Sequence, residues 1–520
     1  MSLLTMLTPK LTSSDLMSVD RIARAVNPLQ TRSEFEDSNL YRSASGLRSL
    51  RSAFSEWRDR RLSGARITQK SSFLDRASST LPDTSQITTA DNTITTFSVN
   101  TRQIAGSLRA DLFRVGSDAR TVISGNGNVD FGNGYRDLLD LSTVASSSVN
   151  FSWANQAGVV YNPGTGSRVF DAINFSDGRQ ILFEGLDAIQ FADGVLNLSV
   201  TPNDPLFSQQ WNLHMMGVHT AWRFTTGNSN VLIGVQDTGL VLGQNGAIHP
   251  DLSRTYAFWN QVGDDLQNNH GTSVQGIIAA DSNNGIGMSG INWNSNVLNI
   301  DVLGGEAGDL SLTDAARSMI SFARQNGQRL VINMSLGRPD SFGQNFDQDF
   351  EQVVRENPDV LFVIAAGNSG EKGEGIASPA ILARTYNNVI SVGAVWGTET
   401  SRGERTVPGT RIPYSQYGDG LTLVAPSEVI APTSTNLWGT LGFDFEFQFN
   451  GTSAATPNAT GVASLVLGVN PSLSAGQVKD ILAQTSIDVG QAGYDRFTGS
   501  GVINADAAVR RAMAISRGYG

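Results

Sequence analysis

A chain of 520 residues, 40% hydrophobic and 16% charged, exceeds one ordinary domain and is too apolar to be disordered throughout. The absence of cysteine excludes disulfides, thiolate metal sites and a cysteine nucleophile, and four histidines leave little for a histidine-rich metal centre. The net charge of −11 is uneven: residues 1–80 hold 13 Lys/Arg against 8 Asp/Glu, so the acidic remainder is a poor nucleic-acid ligand that attracts cations or cationic peptides, or simply stays soluble.

The first residues, MSLLTMLTPKLTSSD, place Lys10 after a short apolar patch and do not read as a secretory signal. A cytoplasmic location and export by another route both stay open. No apolar run approaches the roughly 18 residues of a membrane span. Residues 1–105 form a basic region rich in Ser, Thr and Arg. Within it Leu47, Leu50, Phe54 and Trp57 recur at steps of three and four, which predicts an amphipathic helix near 46–62. Arg48, Arg51, Arg58, Arg60 and Arg61 lie on its other face, as on a packed helix with a solvated basic side or a helix resting on a membrane surface.

Residues 106–200 change to short β-like runs between Gly, Asn and Asp turns, predicting a small β-rich module and a candidate pro-domain. Gly125-Asn-Gly-Asn-Val-Asp130 and Gly132-Asn-Gly-Tyr-Arg-Asp137 are two imperfect copies of the Gly/Asp repeats that bind calcium, and ordinary hairpin turns explain them equally.

From residue 201 to about 515 strands and helices alternate. Strands are expected at 231–237, 297–303, 330–336, 360–366 and 388–395. Helices are expected at 270–280, 312–326, 346–356, 453–468 and 474–486, with another near 502–511. Continuous apolar strands between amphipathic helices predict an α/β fold, a parallel sheet covered by helices on both faces. Ligands meet such sheets at the carboxyl ends of the strands.

Three segments place chemistry there. Asp237 ends a strand in Gly234-Val-Gln-Asp-Thr-Gly239, His270 opens a helix in Asn269-His-Gly-Thr-Ser-Val274, and Ser453 opens another in Asn450-Gly-Thr-Ser-Ala-Ala-Thr-Pro457. Acyl transfer by serine needs a base for the hydroxyl proton, an acid that orients the base, and donors for the oxyanion. Taken singly, Asp237 could cap a loop, Ser453 a helix, and His270 could be a core histidine. Their combination with Gly239, Gly271 and Gly451 favours catalysis. His214, His219 and His249 lack the His-Gly-Thr setting and read as structural or surface residues.

These segments closely resemble the subtilisin-like serine peptidases over residues 201–515, and the order Asp, His, Ser is the one known for subtilisin. Asp204-Pro-Leu-Phe-Ser-Gln-Gln-Trp211 resembles the start of a mature domain in the kexin-like branch, and His249-Pro-Asp-Leu252 follows the first motif as it does across the family. The resemblance implies that Asp237 orients, His270 is general base and acid, and Ser453 is the nucleophile. Asn368, in Ala365-Ala-Gly-Asn-Ser-Gly370, matches the side-chain oxyanion donor, with the Ser453 N–H as its natural companion. Ser335, Leu336 and Gly337 match the strand that pairs with an extended peptide. Asp340 and Glu374 match acidic positions of the pocket for the residue before the cleaved bond, which implies cleavage after Arg or Lys. A calcium ion is implied at Asp281-Ser-Asn-Asn-Gly-Ile-Gly-Met288: Asn284 as amide ligand, Asp281, Ile286 and Met288 through carbonyls, Asp204 and Asp251 as carboxylates. The same Asn-Asn-Gly also makes a good turn without metal.

Three departures accompany the match. No segment after residue 515 resembles the β-domain that follows a kexin-like catalytic domain, Asn368-Ser-Gly replaces Asn-Gly-Gly, and the upstream 200 residues do not resemble the common propeptide. They could still restrain the cleft, with Arg58-Asp-Arg-Arg61 as a self-cleavage point. No Lys or Arg lies between Arg179 and Arg223, so a basic preference conflicts with cleavage at the junction. The expected activity is a calcium-dependent serine endopeptidase acting on proteins or peptides. The alternatives are a peptide macrocyclase or ligase with the same triad, and a catalytically silent calcium-binding scaffold.

Overall fold

Short apolar runs between turn residues cannot bury a face alone, and here they stack into two sheets. The computed structural model describes residues 92–95, 101–243, 247–253, 255–259, 269–303, 310–437 and 440–520. The helix expected at 46–62 and the cleavage point at 58–61 lie outside the described residues. One sheet holds β1 (Asn92–Thr95), β3 (Asp111–Arg114), β5 (Leu138–Leu141), β10 (Ala188–Phe191) and β11 (Gly194–Asn197) in that order. The other runs β2 (Thr101–Ala105), β4 (Arg120–Ser124), β9 (Gln180–Glu184), β8 (Arg168–Phe175) and β6 (Val149–Ser152), with β7 (Val159–Tyr161) against β8.

Up to β5 the chain passes alternately from one sheet to the other, and β1, β3, β5 and β10 pair in parallel, as do β2, β4 and β9. The Gly/Asn/Asp turns at 106–110 and 125–137 are therefore corners between two sheets, not hairpin turns. Phe113, Ile123, Leu139, Phe183 and Ile189 fill the space between the sheets. Asp111, Asp137 and Asp187 stand at successive rungs of one corner: the Asp111 N–H donates to Asp137 Oδ1 (2.8 Å) and the Asp137 N–H to Asp187 Oδ2 (2.9 Å).

The longer apolar runs form a third sheet, parallel throughout, because both of its faces must be covered. Its order is β13 (Thr255–Trp259), β14 (Asn296–Asp301), β12 (Val231–Asp237), β15 (Arg329–Met334), β16 (Leu361–Ala365), β17 (Val389–Val395) and β18 (Leu423–Pro426). Val231, Ile233 and Val235 of β12 face one core, while Leu232 and the β15 residues Leu330 and Ile332 face the other. The first core includes α3 (His270–Ala279) and α6 (Thr452–Val469). The second includes α4 (Leu312–Gln325) and α5 (Gln348–Glu356). Burying each such Val, Leu or Ile contributes about 1.5–3 kcal/mol. β13, β18 and the hairpin of β19 (Val429–Leu437) and β20 (Thr440–Phe449) are additions to the elements expected from the sequence.

The β-module and the α/β body belong to one compact unit, and their junction combines shared apolar residues such as Phe131, Val169 and Val509 with buried ion pairs. From α8 (Ala505–Ser516), Arg510 is fully buried and donates to Asp171 (2.8 Å), to Asp506 (2.6 Å) and to the Val169 carbonyl (2.9 Å). Arg223 reaches the same Asp171 oxygen (3.0 Å), and buried His219 pairs with Asp187 at 2.7 Å.

Candidate active site

The site assembles where strand ends meet helix starts. Asp237 is the last residue of β12 and fully buried; its Oδ1 accepts from the Thr238 N–H (2.9 Å) and faces His270 Nδ1 at 2.5 Å. A carboxylate there holds the proton on Nδ1, which leaves the Nε2 lone pair for a hydroxyl. His270 is the first residue of α3, and the Thr238 hydroxyl accepts the Gly271 N–H (2.9 Å) beside it. A Cβ at Gly271 would lie 2.1 Å from the Gly239 carbonyl oxygen, so only glycine lets the helix start approach the strand end this closely.

Ser453 is the second residue of α6, and its Oγ donates to the Ser335 carbonyl (3.1 Å). The return contact has a local cause. Pro457 sits four residues on and has no N–H to give the Ser453 carbonyl, and Ser335 Oγ donates to it instead at 2.9 Å. Asn368, exposed just beyond β16, has its amide orientation fixed: Oδ1 accepts from the Thr452 N–H and hydroxyl, both at 2.9 Å, and a backbone N–H can only donate. The Asn368 NH2 is therefore the group left free to donate beside the start of α6. The Ser453 N–H, near the start of α6, is among the helix-end donors without an intrahelical acceptor.

Residues outside the sequence expectation hold this turn. The Tyr414 hydroxyl accepts the Gly451 N–H (3.1 Å) and lies 3.0 Å from Ser427 Oγ, which donates to the Gly451 carbonyl (2.9 Å). Gly451 has φ +84°, where a side chain would be strained. Burial pushes the Tyr414 hydroxyl up to about 12, so it remains protonated. Phe449 of β20 packs against the His270 ring at 5.3 Å. The alternation Phe443-Asp-Phe-Glu-Phe-Gln-Phe449 was the signal for this strand.

Ser335, Leu336 and Gly337 follow β15 directly. A Cβ at Gly337 would lie 3.4 Å from the Ser378 carbonyl oxygen and 3.5 Å from Ala377 Cβ, so its surroundings are small and neutral. Asp340 and Glu374, expected to face a substrate cation, each pair with a cation of this chain. Asp340 lies 2.7 Å from Lys372 Nζ and accepts from Ser369 Oγ, and together these hold its carboxyl below the usual range. Glu374 lies 2.6 Å from Arg496.

The residues of the implied calcium loop do come together. Asp204 caps it, accepting from the Asn283 and Asn284 N–H groups (2.8 and 2.9 Å) and from Ser289 Oγ. Fully buried Asp251 accepts from the Asn284 amide (3.0 Å) and the Met288 N–H (3.0 Å). The Asp281 carboxylate accepts from the Ser253 N–H and hydroxyl. The Ile286 side chain is exposed. His249, as expected, is structural: its ring accepts the Asp251 N–H at 3.2 Å.

Comparison with known proteins now bears on this geometry. The sequence profile described as "Subtilase family" matches residues 228–501, more than half of the chain. The chain belongs to the subtilase family. It is 32% identical over 334 residues to "Alkaline protease" of Alkalihalobacillus alcalophilus, covering 63% of this chain and 77% of that one. It is 34% identical over 308 residues to "Subtilisin Savinase" of Lederbergia lenta, covering 58% and 99%. The solved structure titled "Proteases from Pseudoalteromonas arctica PAMC 21717" aligns with a TM-score of 0.46 at 25% identity, covering 60% of this chain and 99% of that one. This subtilase is accordingly a subtilisin-like serine endopeptidase acting on protein or peptide substrates. No helix among the described residues is long and apolar enough to cross a membrane.

Proposed function

We propose that the subtilase cleaves an extended peptide laid along Ser335–Gly337 through an acyl-enzyme on Ser453. The observation that supports this most is the Asp237–His270 contact at 2.5 Å at the same rim as the oriented Asn368 amide and the start of α6. His270 Nε2 takes the Ser453 hydroxyl proton as Oγ bonds to the scissile carbonyl carbon. The Asn368 NH2 and the Ser453 N–H donate to the resulting oxyanion. The C–N bond then breaks, and the imidazolium gives its proton to the leaving amine. Water repeats the sequence: its proton goes to His270, its oxygen enters the new carboxyl, and Ser453 recovers its hydrogen. Wild type is expected to react with a fluorophosphonate and hydrolyse peptides, while Ser453→Ala does neither. Labelling that survives in Ser453→Ala would remove this assignment. Cyclic products lacking added water would favour the macrocyclase or ligase.

For the residue before the cleaved bond, the neutral surroundings of Gly337 support an uncharged side chain. A preference for Arg or Lys would require Asp340 and Glu374 to exchange Lys372 and Arg496 for substrate, one exposed pair for another at little gain. The kexin-like placement rests on residues 204–211 and these two acids, whereas the relatives named above are bacterial alkaline proteases and a subtilisin. Faster turnover of Arg than of Leu or Phe reporter peptides would restore the basic preference.

We also propose that calcium braces the loop at 281–288. Burial, then the negative fields of Asp204 and Asp281, push the Asp251 carboxyl up to about 7 against the donors it accepts from, and a cation would relieve that cost. Among the described residues no three His, Asp or Glu side chains sit close enough to hold a metal. Asp204, Asp251, Asp281 and the Asn284 amide all accept from donors of this chain, so a cation held by them and by the loop carbonyls would take the place of some of those hydrogen bonds. Bound calcium would supply charge neutralisation and loop rigidity. Chelator is expected to lower Tm; an unchanged Tm would remove the site.

A further inference from the structure

We propose that Glu446 is a positioning residue for the catalytic imidazole, a second carboxyl beside that of Asp237 whose negative charge favours His270 as imidazolium during acyl transfer. This rests on the peptidase reading of Ser453 and extends it to a residue outside the triad.

Two side chains of β20 reach the first turn of α3. Phe449 meets the His270 ring at 5.3 Å, and three residues earlier Glu446 Oε1 lies 2.9 Å from Ser273 Oγ. Ser273 follows His270 by one helical turn, so the two share a face with Cβ atoms roughly 5–6 Å apart. The half-buried carboxyl is thus within about one helical turn of the imidazole.

The Ser273 hydroxyl has one hydrogen and two acceptors, Glu446 Oε1 and the Pro432 carbonyl at 2.8 Å. With Glu446 protonated, the acid donates to Ser273 Oγ and the hydroxyl donates to Pro432, so every group is satisfied. With Glu446 ionised, the hydroxyl turns to the carboxylate and the Pro432 carbonyl loses its donor. Burial also raises this carboxyl, while Ser273 and the His270 charge lower it. The proton on Glu446 therefore responds to the charge on His270.

The groups facing it are few. From α3 come His270, backed by Asp237, and Ser273. From β19 come the Pro432 carbonyl and, farther along, the Ser434 N–H, already given to Asn269 (2.9 Å). On β20 itself, exposed Asp444 accepts from the Phe445 N–H (2.9 Å). Among the described residues no Lys or Arg forms an ion pair with Glu446. An ionised Glu446 then acts chiefly on the imidazole: it raises the basicity of His270 and stabilises the positive ring formed in the transition state.

The test is kcat/KM against pH with an uncharged reporter peptide, for wild type, Glu446→Gln, Glu446→Asp and Ser273→Ala, each titrated with fluorophosphonate to count intact sites. Glu446→Gln is expected to move the acid limb about half a pH unit or more downward, since a charge several ångströms away is worth that much at intermediate dielectric. It should also lower kcat several-fold with KM little changed. Glu446→Asp keeps the charge and should keep the limb, whereas Ser273→Ala should lower Tm and move the limb less than Glu446→Gln does. An unmoved limb in labelled, active Glu446→Gln overturns the proposal alone, as does Ser273→Ala moving it equally far. Wild type that neither labels nor hydrolyses overturns the peptidase reading and this proposal with it.

Discussion

Asn368 is fixed by its oxygen, which leaves its nitrogen for the proposed oxyanion. Thr452 occupies Oδ1 from the backbone and from the hydroxyl, so the amide need not reorganise when the oxyanion forms, and that preorganisation is the source of its effect. Asn368→Ala is expected to lower kcat by about 10²–10³ with KM little changed. That is about 2.7–4 kcal/mol, the size known for the corresponding amide of subtilisin. Steady-state kinetics on a neutral reporter checks it. Ser335→Ala acts on the other side of the nucleophile. It leaves the Ser453 carbonyl without the donor that Pro457 cannot supply, which costs about 1–3 kcal/mol of stability, read by urea unfolding.

At the scale of elements, the sheet of the body and the pair of sheets in the module solve different problems. The parallel sheet of the body needs helices on both faces and delivers Asp237, Ser335 and Asn368 to one rim. The two sheets of the module cover each other and stack acids at a corner. There Asp137 is fully buried, and burial, then the charges of Asp187 and Asp111, hold its carboxyl well above the usual range. Its folded form keeps a proton that the unfolded chain releases above about pH 3.9, so its contribution to stability falls as pH rises toward the folded value. Asp137→Asn keeps the Oδ1 acceptor for the Asp111 N–H and removes the titration. A Tm gain that grows from pH 5 to 8 is expected; thermal unfolding across that range would expose a flat or reversed difference. The 3.6-residue period is plain in Leu312–Gln325 and Gln348–Glu356, each buried on one side, whereas His270–Ala279 and Thr452–Val469 are buried nearly all round and were legible from the motifs that open them. β18 was too short to stand out, and the β19–β20 hairpin follows a turn-rich stretch that hides its alternation.

At the scale of the whole molecule, the module is joined to the body by buried charge. Arg510 spans Asp506 of its own helix and Asp171 of β8, so removing either half strands a charge out of water. Arg510→Met is expected to cost about 3–5 kcal/mol, seen as a lowered Tm of the full chain. The same seam supports a module retained in the working enzyme and not shed as a pro-domain. N-terminal sequencing of the active protein is expected to find its start upstream of residue 106, and a fully active form starting near 201 would contradict this.

The sequence by itself determined the three catalytic motifs, the alternation of the body and the absence of cysteine chemistry. Each is local: a helix start, a strand end or a periodicity is written in neighbouring residues. The tertiary structure alone decided the rest, because those properties belong to pairs far apart in the chain. It set the orientation of the Asn368 amide by Thr452, tied Asp340 and Glu374 to Lys372 and Arg496, and brought Glu446 against Ser273, one helical turn along α3 from His270. It also turned Gly/Asp repeats from hairpins into corners, since the partner of a parallel strand lies a full rung away. Charge and hydrogen bonding act across space, and their partners are fixed only when the chain has closed.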